Sequence, residues 1–353
     1  MEPSGKVLID GLGSEVSAEE TDRVVEGMGK RALICGISGQ DGTYLAKLLL
    51  DRGFEVWGSS RDAELATFDN LRRLGVYESV HLVSLNLRDV GSVLGLLRRI
   101  RPDRIFSLAG QSSVGLSFEQ PVETIESIAI GTLTLLEAIR LSDLDIRLYN
   151  AGSTECFGDT GEGVADERSP FHPRSPYAVA KASAFWTVAN YRQAYSMFAC
   201  TGILSNHDSP LRPKRFVTRK IVSAVAALSL GRDVRLSLGN LHIERDWGWA
   251  PEYVEAIAAM LEQPVPTDFI IATGSSHRLQ EFMETAFKLV NKNWLDHVTI
   301  DEHLMRPTDI ARNKVDPSRA AKRLGWKAKS GMREVIEMML DEEIANIRRE
   351  GVG

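Results

Sequence analysis

Cysteine is scarce in this chain. The 353 residues include three, at positions 35, 156 and 200, an odd number too small for a disulfide framework, which points to a reducing cytoplasm. Cys156 has no His or basic neighbour to activate it and reads as a small packing residue. The seven histidines are scattered without metal-ligand spacing, so no metal is expected. Long apolar runs are missing as well: no stretch reaches the roughly 18 to 20 residues of a membrane span, and the N-terminus lacks the apolar core of a signal peptide. No membrane partner is expected. Charge of one sign is not in excess either, with 42 Lys and Arg against 48 Asp and Glu for a net charge of -6. Without basic runs or basic-aromatic alternation, nucleic acid finds no electrostatic footprint. There is no internal repeat or low-complexity segment.

A chain of this length holds one large or two modest domains. Residues 1–29 read as a polar, acidic extension, either disordered or folded onto a partner subunit. Ordered structure is expected to begin at Arg31-Ala-Leu-Ile-Cys35, an apolar run that meets Gly36, Gly39 and Gly42 and then a helical apolar pattern reaching Leu50. A strand, a turn without Cβ atoms and a helix N-terminus together make a place for a pyrophosphate. An ordinary strand-to-helix turn has the same ingredients, and the spacing is not the G-x-G-x-x-G of the common dinucleotide fingerprint. A second strand over 53–58 ends at Ser59, Ser60 and Arg61, where an adenosine ribose would lie. Arginine there suits the 2'-phosphate of NADP, whereas the adjacent Asp62 suits the free hydroxyl of NAD. NADP is the expected cofactor, with NAD the alternative.

Strands over 80–84, 104–108 and 146–150 alternate with helical patterns over 90–101 and 125–140. That alternation predicts an α/β fold of the Rossmann type, a doubly wound parallel sheet with right-handed crossovers. Ligands of such sheets bind beyond the carboxyl ends of the strands. Asn86, Leu87, Leu108, Ala109, Gln111, Ser112 and the run Ser153-Thr-Glu155 all fall on that rim. Tyr177 and Lys181 lie one helical turn apart, so the ammonium can favour the phenolate and make a base suited to dehydrogenase chemistry on a hydroxyl. An exposed aromatic beside a solvated lysine has the same spacing, and context must decide.

Six ordered blocks supply that context: Gly36–Ala46, Leu108–Val114, Pro170–Lys181, Asn206–Arg212, Phe216–Lys220 and Arg245–Gly248. Over residues 30–345 the chain resembles the extended short-chain dehydrogenase/reductases that act on nucleotide sugars. Asn-His-x-Ser-Pro followed by Phe-Val-Thr-Arg-Lys is similar to their GDP-mannose 4,6-dehydratase branch. The resemblance implies a dinucleotide-binding region over 30–205, a nucleotide-sugar region over 206–345 with the chain crossing back to the sheet, and a homodimer or homotetramer. Dimers of the family pack helices equivalent to 125–140 and 178–195 across a twofold axis.

The same resemblance implies a mechanism. Tyr177 takes the proton of the sugar 4-hydroxyl while a hydride passes to the nicotinamide, Glu155 removes the proton of carbon 5 and assists loss of the 6-hydroxyl as water, and the hydride returns to carbon 6. The alternative reading of Glu155 is a rim carboxylate paired with a nearby arginine. Ser153, with Thr154 as its alternative, bonds the 4-oxygen, and Lys181 holds the cofactor ribose. Gln40, Asp41, His207 and Arg212 fall near the cofactor; Asn206, Lys220, Arg245 and Arg306 fall near the nucleotide diphosphate. Trp247, Trp249 and Trp326 read as core or domain contacts.

Some positions depart from the family. Arg61-Asp62 and then Ala63–Ala66 replace paired arginines and a serine-rich stretch, in a loop that reaches a neighbouring subunit in relatives. Asn86 replaces an aspartate and Gly110 an alanine, while Asp208 and Asp309 are shorter carboxylates able to resize the sugar pocket, leaving a hexose or a heptose open. Rival readings are an epimerase, reductase or dehydratase acting on another nucleotide sugar, and a non-catalytic dinucleotide-binding regulator.

Overall fold

The computed structural model describes residues 29–350; the expected N-terminal extension lies, apart from its last residue, outside them. Chain order begins β1 (Arg31–Cys35), α1 (Gln40–Asp51), β2 (Glu55–Ser60), β3 (His81–Ser84), α2 (Val90–Ile100), β4 (Arg104–Ser107), α3 (Gly131–Ser142), β5 (Arg147–Ala151), α4 (Pro176–Tyr195) and β6 (Ala199–Leu204). With β10 (Phe269–Ile271), these strands form one seven-stranded sheet in the order β10-β6-β5-β4-β1-β2-β3, every pair parallel. The order reverses between β1 and β4. Such a reversal opens a crevice beyond the strand ends, as in Rossmann-type sheets.

The central strands are buried on both faces, and their alternation sorts the side chains. Ala32 and Ile34 of β1, Phe106 of β4 and Tyr149 of β5 enter the core shared with Leu45, Ala46 and Leu49 of α1. Leu33, Cys35, Ile105 and Leu148 point the other way, onto Val93 and Leu97 of α2, Leu135, Leu136 and Ile139 of α3, and Val188 of α4. A period of two along each strand and a helix layer on each side follow from the same residues. The expected strands all occur, with limits shifted by a residue or two. The expected helix over 125–140 is interrupted: a π turn over Glu126–Ile130 precedes α3. It brings the Ser127 hydroxyl to the Gln111 amide at 3.3 Å, on the rim.

Beyond β6 the chain builds a second layer. Strand β7 (Asn206–Asp208) lies parallel to β9 (Glu244–Trp249), which pairs antiparallel with β11 (Ser276–Arg278), and β8 (Leu236–Leu238) pairs with β12 (Val298–Ile300). Helices α5 (Val217–Ser229), α7 (Leu279–Leu289) and α8 (Met332–Glu350) complete it, while α6 (Ala250–Met260) packs back on α1 in the core of the sheet. Trp247, Phe282, Phe287, Val335 and Met339 form a separate apolar core there. Trp326 is buried and donates its indole N–H to the Glu252 carbonyl at 2.9 Å. Among the described residues, no helix is long and apolar enough to cross a membrane, and no group of His, Cys, Asp and Glu is placed to hold a metal ion.

Candidate active site

Between the sheet rim and the second layer runs a cleft of about 1320 Å³. Its floor begins at the glycine turn. Gly36 has φ +87°, and a Cβ on it would meet Ala109 backbone at 2.9 Å; a Cβ on Gly42 would lie 2.4 Å from the Gly36 carbonyl oxygen. Neither position accepts a side chain, so the turn keeps bare backbone at the start of α1, whose N-cap, Gly39, offers no side-chain hydrogen bond. The first-turn amides are thus left to an anion.

Asn86, Leu87, Leu108, Ala109, Gln111, Ser112, Ser153, Glu155, Tyr177 and Lys181 line the cleft from the sheet side, and Asn206, His207, Arg212, Lys220, Arg245 and Arg306 from the other. Every residue singled out from sequence as a site therefore reaches one cavity. Several are already engaged with one another. The Gln40 Nε2 amide donates to the His207 carbonyl at 3.2 Å and to Asp41 Oδ1 at 3.0 Å, and its Oε1 accepts from Ser209 at 2.8 Å. Asp41 Oδ2 lies 2.9 Å from His207 Nε2, and the imidazole stacks on Tyr253 at 4.5 Å between centroids. Burial works to raise the Asp41 carboxyl, but the charge and hydrogen bond of His207 outweigh it and hold it below its ordinary value. Burial works to lower His207, and Asp41 reverses that too. This pair ties the glycine turn to β7. Gln111 likewise spends its amide on the Ser113 carbonyl and on Thr124.

Tyr177 opens α4 behind a Ser175 cap, whose hydroxyl accepts from the Ala178 amide at 3.1 Å, and Pro176 at the first helical position. Burial pushes its phenol well up, while a hydrogen bond from Ser153 and the positive charge of Arg212 act to lower it. Lys181 sits 5.8 Å from the Tyr177 ring centroid and donates to the Ala151 carbonyl at 2.6 Å. Burial is the largest influence on the Tyr177 phenol and works against the phenolate that Lys181 is expected to favour. Burial also lowers Lys181, to about 8. Cys156 is inert, its thiol pushed up to about 12 by burial.

Ser153 faces the cleft, whereas Thr154 does not line it and offers its carbonyl to Asn313 at 2.9 Å. The Glu155 side chain is 9% exposed and its Oε1 accepts from Arg245 Nε at 3.1 Å. Arg245, 3% exposed, also donates from Nη1 to the Glu244 and Ile310 carbonyls and from Nη2 to Asp309 Oδ1. Resemblance placed Glu155 and Arg245 in separate roles; in the fold they are one buried pair. Asp309, weighed in the sequence only as a shorter carboxylate, accepts from Arg245 and from Arg306, each at 3.3 Å. The Arg306 pair lies at a local i,i+3 spacing, but no local spacing could reveal the tie to Arg245.

At the outer end Arg61 lines the cleft, 86% exposed, with Nη1 3.2 Å from Glu123. Asp62 is turned away, its carboxylate accepting the amides of Glu64 and Leu65 at 3.0 and 3.1 Å. Asp208 is fully buried, accepting from Thr218 at 2.8 Å and pairing with Arg212 at 3.1 Å.

Comparison with known proteins agrees with this arrangement. A family model described as GDP-mannose 4,6 dehydratase matches residues 33–339. The chain is 44% identical over 335 residues to GDP-mannose 4,6 dehydratase 1 of Arabidopsis thaliana, covering 92% of each protein. It is 40% identical to the GDP-mannose 4,6-dehydratase of Sinorhizobium fredii, covering 90% of this chain and 98% of the relative. Among solved structures, the UDP-glucose 4-epimerase of Thermus thermophilus in complex with NAD superposes with a TM-score of 0.76 at 28% identity, over 89% of this chain and 98% of that one. By the extent of these matches, the chain belongs to the GDP-mannose 4,6-dehydratase family.

Proposed function

We propose that the protein dehydrates GDP-mannose to its 4-keto-6-deoxy sugar with a bound nicotinamide dinucleotide, NADP in preference to NAD. The observation that carries this reading is the Glu155 carboxylate, buried on the wall of the same cleft as Ser153, Tyr177 and Lys181, because oxidation of a hydroxyl alone has no use for it. The cofactor fits: the turn that excludes a Cβ at Gly36 and Gly42 and the open N-terminus of α1 suit its pyrophosphate. Arg61 in the cleft, with Asp62 turned away, supports the 2'-phosphate. The chemistry the cofactor would supply is a reversible two-electron store, filled at carbon 4 and drawn on at carbon 6.

The protein moves the protons. Tyr177 Oη takes the proton of the 4-hydroxyl, with the Ser153 hydroxyl bonded to the same oxygen. Lys181, one helical turn from Tyr177, acts through its ammonium in favour of the phenolate, against the burial that raises the phenol. The resulting carbonyl acidifies carbon 5. Glu155 takes that proton and then delivers it to the departing 6-hydroxyl, a base and an acid in turn within a dry site; carbon 5 then regains a proton, balanced by the one Tyr177 took and gives up. Residues 30–205 mainly hold the dinucleotide and 206–345 the sugar nucleotide, with Asn206, Lys220, Arg245 and Arg306 toward the diphosphate. Exposed Val179, Trp186 and Tyr195 on α4 and Leu133 and Leu141 on α3 support a helix-packed homodimer, extended to a tetramer if the 61–66 loop reaches a further subunit. Three free, buried cysteines suit a reducing cytoplasm.

The test is to incubate the protein with GDP-mannose, with NADP and separately with NAD, and to follow the sugar nucleotide by mass spectrometry. Loss of one water without net cofactor turnover is expected. An intact sugar with dinucleotide binding retained would overturn the assignment.

A further inference from the structure

Arg245 is nearly saturated by the protein itself. Its Nε–H goes to Glu155, both Nη1 hydrogens go to the Glu244 and Ile310 carbonyls, and one Nη2 hydrogen goes to Asp309. A guanidinium has five N–H donors, so a single one is left for a ligand. Asp309 has the opposite problem: its Oδ1 is shared by Arg245, by Arg306 and by the Ile310 amide at 2.9 Å. The two guanidiniums stand at 3.3 Å, longer than a good charge-assisted bond of about 2.8 Å. Glu155, Arg245, Asp309 and Arg306 all line the cleft, and Arg306, 30% exposed, is the most open of them.

We propose that Asp309 is a positioning residue that couples occupancy of the diphosphate site to the strength of the Glu155 base. A doubly charged diphosphate draws Arg306 off Asp309. The Asp309 carboxylate then falls wholly to Arg245, and the hold of Arg245 on Glu155 loosens. Glu155 becomes the better acceptor of the carbon 5 proton only when the nucleotide end of the substrate is seated. The idea rests on the dehydratase reading and adds to it a reason for the Arg306–Asp309–Arg245–Glu155 chain.

The decisive variant is Asp309→Asn, with Asp309→Glu as the conservative control. In Asp309→Asn, Arg306 is released for phosphate and Arg245 turns its charge on Glu155 alone. GDP, titrated calorimetrically, should bind about threefold tighter or more, while kcat for water loss from GDP-mannose falls by about tenfold. Exchange of solvent deuterium into carbon 5 should slow with kcat. Asp309→Glu should return both quantities to within about threefold of the wild type. Mere structural damage weakens binding and rate together, so GDP binding that is unchanged or weaker, or an unchanged kcat, overturns the coupling. A wild-type protein that binds GDP but leaves GDP-mannose intact overturns the functional reading, and the coupling with it.

Discussion

Replacing Glu155 by glutamine separates chemistry from architecture. The amide keeps the shape of the side chain and an oxygen for Arg245 Nε, but it cannot take a proton from carbon. Two unit charges about 4 Å apart at an effective dielectric of about 20 attract by about 4 kcal/mol, and orphaning one member of a buried pair costs about 3–5 kcal/mol. Here Arg245 is not orphaned, since Asp309 stands 3.3 Å from its other side and two carbonyls remain. The stability loss in Glu155→Gln should therefore be about 1–3 kcal/mol, a few degrees in Tm. Loss of the base should cost about 10²–10⁴ in the rate of dehydration, or about 3–5 kcal/mol of barrier. Oxidation at carbon 4 depends on Tyr177, Ser153 and Lys181 and should persist. Rapid quench of the variant with GDP-mannose should trap the 4-keto sugar before water is lost, with no deuterium from solvent at carbon 5. If Glu155→Gln releases water within about threefold of the native rate, Glu155 is not the base and the buried pair is structural.

Other variants probe the remaining parts. Gly42→Ala would set a methyl 2.4 Å from the Gly36 carbonyl oxygen and 2.7 Å from Ile37 Cα; dinucleotide affinity should fall by about tenfold or more, and a binding isotherm like the native one would show that the turn gives way. Arg61→Ala should weaken NADP by about tenfold and leave NAD unchanged, so equal losses for both would remove Arg61 from the 2'-phosphate. Asp41→Asn tests the tie to β7 through its pH dependence. The depressed Asp41 contributes stability above about pH 4 that fades as pH falls through its folded value, and the raised His207 contributes stability that is full below about pH 6.5 and fades as pH rises through its own. The Tm deficit of the variant should be largest between those limits, and a deficit independent of pH would mean that the two groups are not a charged pair.

What was legible beforehand divides along the range of the signal. The sheet could be read because β1, β4 and β5 each alternate between two buried faces, a property written in consecutive residues. The glycine turn could be read because Gly36 and Gly42 answer a local steric demand. Tyr177 and Lys181 share a helix face by spacing alone, yet their electrostatics did not follow from spacing, because the burial of Tyr177 comes from Val114, Ile125 and Ile128 and Lys181 is tied to β5 through the Ala151 carbonyl. The π turn over 126–130 leaves no mark in the apolar period on either side of it.

The ties that matter most span 90 residues between Glu155 and Arg245 and 166 between Asp41 and His207. Each joins a strand or helix end of the sheet to a strand of the second layer, and neither half carries a sign of the other. Sequence and resemblance therefore presented Asp41, His207, Arg245 and Arg306 as separate contacts awaiting ligands, and Glu155 either as a base or as the partner of an arginine they could not name. In the folded chain they are first of all contacts with each other. A diphosphate entering this cleft does not find Arg306 free; it competes with Asp309 for it. Its net affinity is then the difference between two charge-assisted bonds rather than the strength of one. Whatever that exchange withholds from binding remains available to change the state of Glu155, the group on which elimination depends.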